Sequence, residues 1–421
     1  MAHPSGALDT MRNDTMRALD DILVLDLSRV LAGPWCTQML SDLGAKVIKV
    51  EKPGAGDDTR GWGPPFLTDP ATEEKGDAAY YLAANRGKHS VTIDMATPEG
   101  QELIRHLAAK ADVLVENYKL GGLKKYGLDY DALKAVNPRL VYCSITGFGQ
   151  TGPYAPRAGY DFMIQAMGGM MSVTGEKDAL PGGGPQKAGI AIADLSTGLH
   201  AVIAILAALN QRHRTGRGQY IDLGLLDVQV SMMSNQAQTY LVGGKAPARA
   251  GNGHAAIVPY QAFPTQDGHL IIAVGNDGQF AKLAEVLGHP EWAADQRFIL
   301  NRSRVEHREV LVPLLEAETR RFPSAHLLDA LERRQIPCGP INTMDKVFDD
   351  PQAQARNLRQ EVPHALAGTV PTVASPLRLS DSPVIYDRGP PLLGEHTEVV
   401  LGDLLGLDAP AVEALRAKGV V

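Results

Sequence analysis

Apolar residues in the first half of the chain alternate between short runs and amphipathic stretches. Residues 21–28 and 45–51 are short apolar runs typical of buried strands, and residues 34–43 between them have helical character. Pro34 suits the first turn of a helix, because proline has no amide hydrogen to lose there, and Gly44 suits a left-handed helix end. The order recurs as strand 90–94, a helix capped by Thr97 and starting at Pro98, strand 111–116, helix 130–136 and strand 139–146. Such repeats predict an α/β fold with a parallel sheet covered on both faces and a ligand site beyond the carboxyl ends of its strands.

The second half changes character after a long apolar stretch. Residues 194–213 predict a buried helix that ends at the turn 215–218. The passage 243–253 is rich in Gly, Ala and Pro and predicts a domain boundary. Beyond it, the pattern predicts a hairpin of strands 260–263 and 269–274, helices near 279–287 and 305–320, and a C-terminal helix at 398–404. The segment after the boundary is therefore expected to be a smaller α+β unit.

Composition narrows the functional classes. The 421 residues are 44% apolar and 21% charged, which is typical of a globular protein with two or three domains. No apolar run reaches the roughly 20 residues needed to cross a bilayer, so we expect no membrane partner. The net charge of −7 offers nucleic acid no global positive field. Three widely spaced cysteines favour a reducing, cytoplasmic setting.

Several common cofactor motifs are absent from the sequence. The first strand is not followed by Gly-x-Gly-x-x-Gly, and there is neither a Walker loop nor a Gly-x-Ser-x-Gly elbow. The 12 histidines form no His-x-x-x-His or His-x-His cluster. We therefore expect no nicotinamide, no flavin and no metal.

Two aspartates are candidates for chemistry. Asp194 follows the apolar run 188–193 and begins the predicted long helix, where helix amides would stabilise its anion and apolar neighbours would strip its hydration, as a nucleophile requires. The competing interpretation is a plain helix N-cap, which by spacing alone is the commoner role. Asp161, next to Tyr160, is the second candidate, and it too could be a plain helix cap.

Two further features are compatible with ligand binding. Basic residues are dispersed over the early loops, and solvated surface is the default interpretation of each, although several fall at the sheet edge where a polyphosphate would bind. They are Arg29, Lys49, Lys52, Arg60, Arg86, Lys88, Lys124 and Lys125. The segment 251–254 (Gly251, Asn252, Gly253 and His254) is either a hinge or a lid that excludes water.

Together these pieces resemble the class III CoA-transferases, the group that includes formyl-CoA and carnitine CoA-transferases and α-methylacyl-CoA racemases. Each motif is weak alone, but their ordered series covers nearly the whole chain after residue 20. The motifs are AGP at 32–34, LGAKVIKVE at 43–51, GDDTRGW at 56–62, NRGK at 85–88, ADVLVENY at 111–118, NPRL at 137–140, GYD at 159–161, TGRGQ at 215–219, IPCGP at 336–340 and PLLGEHT at 391–397.

The resemblance implies a Rossmann-like large domain built from both chain ends, a small domain between them, and an interlocked homodimer. The expected boundaries are a flexible N-terminal tail (1–20), the first part of the large domain (21–225), a connecting helix and linker (226–250), the small domain (251–345) and a return segment that completes the large domain (346–421).

The resemblance also implies a mechanism and a site. Asp194 would be the nucleophile that passes CoA between carboxylic acids through a mixed anhydride and an aspartyl-CoA thioester. Asp161 and Tyr160 would lie beside it, and residues 251–254 would shield the intermediate. Coenzyme A, as the substrate acyl-CoA, would be bound by Arg29, Val30, Leu31, Ala32, Lys52, Arg60, Asn117 and Tyr118, with Lys125 a candidate for its phosphates.

Departures from the family pattern limit the choice of reaction. Leu31 stands where formyl-CoA transferases have Gln, and segment 251–254 is shorter than their glycine run, which disfavours formyl/oxalate exchange. Racemases have His at the position of Tyr160, and a tyrosine with a pKa near 10 is a poor acid/base. The pattern is most similar to transferases that move CoA between dicarboxylic acids, often with succinyl-CoA as donor. The alternatives are an α-methylacyl-CoA racemase and a non-catalytic acyl-CoA sensor.

Overall fold

The computed structural model of the protein describes residues 16–421. Thirteen strands occur within this range, between residues 23 and 373. They are β1 Leu23–Asp26, β2 Lys46–Glu51, β3 Phe66–Thr68, β4 Lys75–Ala78, β5 His89–Thr92, β6 Val113–Glu116, β7 Val141–Thr146, β8 Tyr220–Gly224, β9 Tyr260–Pro264, β10 His269–Ala273, β11 Cys338–Pro340, β12 Arg359–His364 and β13 Gly368–Val373.

The helices connect and cover these strands. They are α1 Ala32–Asp42, α2 Ala79–Leu82, α3 Pro98–Lys110, α4 Tyr130–Val136, α5 Asp161–Met167, α6 Met170–Val173, α7 Ile192–Thr215, α8 Leu225–Met232, α9 Ser234–Gly243, α10 Asp277–Val286, α11 Asn301–Glu306, α12 Arg308–Thr319, α13 Ser324–Arg333, α14 Met344–Asp349, α15 Pro351–Ala355, α16 Thr397–Leu405 and α17 Ala409–Ala417. Short 3₁₀ turns occur at Asp58–Gly61, Lys124–Tyr126 and Pro290–Ala293.

The described chain divides into two compact units. Unit 1 comprises residues up to 169, 189–237 and 352–421, and unit 2 comprises 170–188 and 238–351. The segment 170–188 therefore groups with unit 2, although the sequence predicts it in the large domain. Within unit 2 the amide of Gly251 donates to the carbonyl of Gly175 at 3.1 Å, and Arg249 pairs with Asp178. These contacts explain the assignment of the segment.

Unit 1 is built on a parallel sheet of six strands in the order β5-β2-β1-β6-β7-β8. If only these six strands are numbered in chain order, the sheet has the order 3-2-1-4-5-6, which is typical of doubly wound nucleotide-binding sheets. In such sheets the crevice for a ligand opens where the strand order reverses, between β1 and β6. The predicted mixed α/β fold with a parallel sheet is confirmed.

Helices cover both faces of this sheet. On one face, Leu40 of α1 and Ile205 of α7 are fully buried against Val24 and Cys143 of the strands. On the other face, the core is closed by α3, α4 and the C-terminal helices α16 and α17. The predicted helix capped by Thr97 is confirmed, because the Thr97 hydroxyl accepts a hydrogen bond from the amide of Gly100 at 3.0 Å.

Two details of unit 1 differ from the expectations. Residues 1–15 of the predicted flexible tail lie outside the described residues, but residues 16–20 are held in place: Arg17 pairs with Asp387 at 2.6 Å and the Leu19 amide donates to the Leu43 carbonyl at 3.0 Å. The long helix α7 is buried on one face only, because Leu199 and Ile203 on the other face are 49% and 64% exposed. By length and composition α7 could span a membrane, but half of that stretch is buried inside the structure.

Unit 2 has its own core. Its antiparallel sheet has the order β11-β10-β9, and the predicted hairpin is confirmed by the pairing of β9 with β10. Phe263 of the sheet, Phe280 of α10 and Leu331 of α13 are fully buried in the same cluster.

Some elements of both units are not anticipated from the sequence. They are the helices α13, α14, α15 and α17 and the hairpin β12-β13.

Candidate functional site

The loop after β1 and the loop after β6 meet at the point where the strand order reverses. The side-chain amide of Asn117 makes two hydrogen bonds to the backbone of Arg29. Its Oδ1 accepts from the Arg29 amide at 2.9 Å, and its Nδ2 donates to the Arg29 carbonyl at 2.6 Å. The Arg29 guanidinium lies 5.7 Å from the centre of the Tyr118 ring and 3.2 Å from Asp58. Arg29, Asn117 and Tyr118, all predicted from the sequence, are thus brought together in the expected crevice.

The next residues of the loop lead into α1. Val30 has a φ of 71°, in the left-handed region that β-branched residues rarely adopt. Leu31 occupies the N-cap position of α1 without a side-chain cap, and Ala32 is the first helical residue. The predicted segment Arg29–Ala32 is therefore one continuous loop that ends in a helix N-terminus.

Asp194 lies in the first turn of α7, but it is not the cap of that helix. The helix begins at Ile192, so the N-cap position belongs to Ala191, and the N-cap interpretation of Asp194 is wrong. The cap comes from another helix, because Oδ1 of Asp161 accepts hydrogen bonds from the amides of Ala193 at 2.8 Å and Asp194 at 3.3 Å. Amides that would otherwise have no partner at the start of α7 are satisfied in this way.

Asp161 is itself held on its other side. Its Oδ2 accepts a hydrogen bond from Nε2 of the buried Gln165 at 2.6 Å, one helical turn further along α5. Both carboxylate oxygens of Asp161 are thus engaged. Tyr160 occupies the N-cap position of α5, and this residue is 71% exposed. Tyr160 is adjacent to Asp161 in sequence, but it faces solvent in this chain.

The Asp194 carboxylate, by contrast, has no hydrogen-bond or ion-pair partner among residues 16–421. Burial, and then the negative charge of Asp161, raise the pKa of Asp194 to about 7. A carboxyl group in this state alternates between acid and carboxylate near neutral pH. Such a group, unpaired and partly desolvated, is chemically available for attack on an electrophile.

Two aromatic residues near these carboxylates are not anticipated from the sequence. Burial raises the pKa of Tyr80, and the charges of Asp194 and Asp161 raise it further. Trp62 packs edge-on against Tyr80 with 5.3 Å between ring centres. Trp62 occurs in the GDDTRGW motif, but nothing in the sequence around Trp62 or Tyr80 indicates that they lie near Asp194.

A glycine brings α7 close to the start of α1. A Cβ atom at Gly198 would lie 2.8 Å from the Ala32 carbonyl oxygen and 3.0 Å from the Trp35 ring. Asp194 precedes Gly198 by four residues, about 6 Å along the axis, on the same face of α7. The first turn of α7, which carries Asp194, therefore lies toward the N-terminus of α1, where the Arg29–Ala32 loop ends.

We expect Gly198→Ala to displace α1 from α7. The added methyl group must push against a backbone oxygen, so the free energy of unfolding should fall by about 1–3 kcal/mol. Chemical denaturation measures this change. The matched control is Gly243→Ala at the end of α9, where nothing lies within 4 Å of the new Cβ and the change should stay within about 1 kcal/mol. Equal effects of the two substitutions would contradict the close packing of α1 on α7.

Comparisons with known proteins agree on one family. The model of CoA-transferase family III matches residues 19–397. The chain is 50% identical over 393 residues to succinate–glutarate CoA-transferase of Agrobacterium fabrum, covering 93% of this chain and 97% of that protein. It is 42% identical to human succinyl-CoA:glutarate CoA-transferase, covering 97% and 91%. A solved structure of a CaiB/BaiF family protein from Brucella suis superposes with a TM-score of 0.83 at 52% identity, covering 92% of this chain and 99% of that one.

The chain belongs to CoA-transferase family III. The resemblance inferred from the motif series is confirmed, and the protein is an enzyme whose substrates are CoA thioesters. Among residues 16–421 no group of three or more His, Cys, Asp or Glu side chains is placed to hold a metal ion.

The basic residues of this CoA-transferase divide into exposed and buried sets. Lys52, at the end of β2, and Lys125 are exposed, as a phosphate ligand must be. Lys49, Arg86 and Lys88 are buried, so the surface interpretation of these three is wrong. Sequence alone could not show this, because each is buried by pairing with an acid on another element, namely Asp57, Asp42 and Asp26.

Arg60 is not available to CoA in this structure. Its Nε and Nη2 donate to the Glu51 carboxylate at 2.9 and 2.7 Å, and Nη1 donates to Asp77 at 2.7 Å. The two remaining hydrogens are directed to the Tyr81 hydroxyl and the Pro391 carbonyl at 2.6 and 3.2 Å. All five guanidinium hydrogens are therefore used. We correct the prediction that Arg60 binds CoA: it is a structural residue that ties β2 to the C-terminal segment.

The predicted lid segment 251–254 belongs to unit 2. Gly251 has a φ of 62°, and a Cβ there would lie 2.7 Å from the Glu176 carboxylate. The His254 amide donates to the Tyr260 carbonyl at 3.0 Å, which anchors the end of the segment. Asn252 and Gly253 line a cavity of about 280 Å³ within unit 2.

Proposed function

We propose that this enzyme transfers CoA between dicarboxylic acids, with succinyl-CoA as a donor and Asp194 as the nucleophile. One observation carries the proposal: Asp194 is an unpartnered carboxylate in the first turn of α7, beside the Arg29–Ala32 loop, while Asp161 takes the helix amides. The choice of dicarboxylates is supported by the relatives, which are named as succinate–glutarate and succinyl-CoA:mesaconate CoA-transferases.

The proposed reaction divides one exchange into four reversible steps. An Asp194 oxygen attacks the thioester carbonyl carbon and the C–S bond breaks, which gives a mixed anhydride and CoA thiolate. The thiolate attacks the Asp194 carbonyl carbon, which releases the first acid and leaves an aspartyl-CoA thioester. The carboxylate of the second acid attacks this thioester and expels the thiolate again. The thiolate then attacks the acyl carbon of the new anhydride, which forms the product thioester and restores Asp194.

Asp161 supports this chemistry without touching the substrate. By accepting the amides of Ala193 and Asp194, it prevents them from stabilising the Asp194 anion directly. Its own charge also raises the pKa of Asp194. A more basic carboxylate is a stronger nucleophile and a poorer leaving group, so both effects favour the acyl-enzyme intermediates.

The pH dependence of kcat/KM follows from the pKa of about 7 for Asp194. The nucleophile is the anion, so the rate should rise with pH through about 7 and reach a plateau above it. Asp161→Asn removes a negative charge but keeps an oxygen that caps α7. It should therefore lower the pKa of Asp194 and move the acidic limb to lower pH. Profiles of the two enzymes with succinyl-CoA check this, and superimposable limbs would contradict the coupling.

Trapping of the intermediate tests the proposed function. The enzyme is incubated with succinyl-CoA and hydroxylamine, and its peptides are analysed by mass spectrometry. We expect a hydroxamate on Asp194, and none in Asp194→Asn. No modification with any of a panel of dicarboxyl-CoA thioesters would overturn the proposal. Deuterium uptake at the α-carbon of a branched acyl-CoA would indicate a racemase instead, and binding without either signal would indicate a sensor.

We also propose that the enzyme is an interlocked homodimer in the cytoplasm. Apolar side chains of unit 1 that a second copy could cover are exposed on two helices: Leu199 and Ile203 on α7, and Val230 and Met232 on α8. Threaded subunits separate only by unfolding, so sedimentation at high dilution should show a folded dimer, and folded monomers would refute the threading. The free thiols of Cys36, Cys143 and Cys338 are in line with a reducing compartment.

A further inference from the structure

In the short loop between β1 and α1, side chains bind five of the six backbone N–H and C=O groups of residues 28–30. The Ser28 amide donates to Oδ1 of Asp26 at 2.9 Å, and the Ser28 carbonyl accepts from Nζ of Lys49 at 2.9 Å. Asn117 binds both the amide and the carbonyl of Arg29. Loops usually direct such groups to water, so this density of side-chain contacts is unusual.

The next residue is held in a strained conformation. The Val30 amide donates to the Asp57 carboxylate, with distances of 3.3 and 3.2 Å to its two oxygens. Val30 has a φ of 71°, which costs a β-branched residue on the order of 1–3 kcal/mol. Such a conformation persists only where surrounding contacts impose it. Asp57 and Asn117, on either side of the loop, supply those contacts.

The two acids that hold the loop are themselves buried and paired. Asp57 binds Nζ of Lys49 at 2.9 Å, and Asp26 binds Nζ of Lys88 at 3.1 Å; all four side chains are almost fully buried. Burial alone would raise the pKa of Asp57, but Lys49 and the Thr59 amide outweigh it and hold the pKa at about 2. Buried ion pairs contribute little net stability compared with apolar packing. In this protein the two pairs keep the Asp26 and Asp57 carboxylates ionised and fixed, so that they accept hydrogen bonds from the loop amides.

A glycine completes the arrangement. A Cβ at Gly33 would lie 2.3 Å from the Ser28 side chain, so the chain folds back on itself more closely than any other residue allows. The loop is therefore compact, anchored and strained at one residue. Its last residue, Ala32, packs against Gly198, four residues after Asp194 on α7.

We propose that Asp57 and Asn117 are positioning residues that hold Arg29 and Val30 in the one backbone shape that receives the acyl thioester opposite Asp194. This inference rests on the proposed function for the identity of the substrate. It reassigns Asn117, which the motif resemblance makes a direct CoA ligand, to a role exerted through the loop backbone. Both amide atoms of Asn117 are already used by Arg29, which favours this role.

The experiment combines Asn117→Ala with two substitutions of Val30. Without Asn117, Val30 should relax from its left-handed conformation and kcat should fall about 10-fold or more, since two hydrogen bonds are lost, while KM for succinyl-CoA changes little. Adding Val30→Gly should recover part of the loss, because glycine adopts a positive φ without strain. Adding Val30→Ala is the matched control and should recover less, because alanine retains the steric penalty.

A second readout does not depend on catalysis. Amide hydrogen exchange of Arg29 and Val30 should be slow in the unmodified enzyme and at least about 10-fold faster at Arg29 in Asn117→Ala. Unchanged exchange, or a rise in KM with kcat unaltered, would overturn the proposal and make Asn117 a CoA ligand. Equal activity of the Val30→Gly and Val30→Ala double variants would overturn the role of the left-handed conformation. If the enzyme transfers no CoA at all, the proposed function fails while the exchange measurement still decides whether Asn117 holds the loop.

Discussion

Asp194→Asn is expected to lower kcat for CoA transfer by at least about 10⁴-fold, the scale seen when a covalent nucleophile is removed. The amide has nearly the shape of the carboxylate but cannot form an anhydride with the acyl group. Binding of acyl-CoA should persist, because the residues predicted to bind CoA lie on the loops at the sheet edge and do not include Asp194. Steady-state kinetics and calorimetric titration with CoA measure the two quantities separately.

Asp194→Asn is also expected to change how the stability of the folded protein depends on pH. Asp194 has a pKa of about 7 in the folded protein, above the ordinary value of 3.8, so the folded state binds more protons than the unfolded state between these values. Stability is therefore lost as pH rises from about 4 to 7. Asp194→Asn removes this loss, and the variant should have a higher Tm than the unmodified enzyme above pH 7.

A matched control separates chemistry from helix effects. Asp131 also lies in the first turn of a helix, α4, and is exposed. Asp131→Asn should leave CoA transfer unchanged. Substantial transfer by Asp194→Asn, at a rate comparable with Asp131→Asn, would rule out Asp194 as the nucleophile.

Lys88→Met is expected to destabilise the protein by about 3–5 kcal/mol, because it leaves Asp26 buried without its partner. Nζ of Lys88 donates to Asp26 at 3.1 Å, to the Pro34 carbonyl at 2.9 Å and to Oδ1 of Asn85 at 2.8 Å. Methionine fills the same volume and satisfies none of these acceptors. Urea denaturation followed by fluorescence gives the change in the free energy of unfolding.

Two controls accompany this measurement. Lys110→Met, at the exposed end of α3, should change stability by no more than about 0.5 kcal/mol. The double variant Asp26→Asn/Lys88→Met removes both charges and should recover part of the stability lost in Lys88→Met. If Lys88→Met were as mild as Lys110→Met, Asp26 would tolerate the loss of its buried partner, which would contradict the prediction.

The sheet of unit 1 could be predicted because its signals are local. Short apolar runs mark β1, β2, β5, β6 and β7, and Pro98 with Thr97 marks the start of α3. The sequence does not indicate the hairpin β12-β13, because Pro363 and Pro371 lie within it and proline argues against a strand. Its pairing is supported by tertiary context that no short window contains.

The site was predictable in part, and the failures share one cause. The sequence indicates Asp194 as a candidate, but the side chain that caps its helix is Asp161, 33 positions earlier in the chain. Likewise, Arg60 and Lys88 carry the charge of surface residues, and only their partners on other elements show that they are buried. Pairings between distant residues decide these roles, and hydrophobic periodicity does not encode them.

The contacts between the two ends of unit 1 have a consequence for how the chain is made on the ribosome. The Thr92 amide of the edge strand β5 donates to the hydroxyl of Thr397, 305 positions later, and the Asp94 amide donates to the Val420 carbonyl. At about 5–20 residues per second, synthesis of that interval takes roughly 15–60 s. During this time β5 exposes apolar surface that the C-terminal helices later cover. Nascent chains of this enzyme should therefore depend on chaperones until the last segment has emerged.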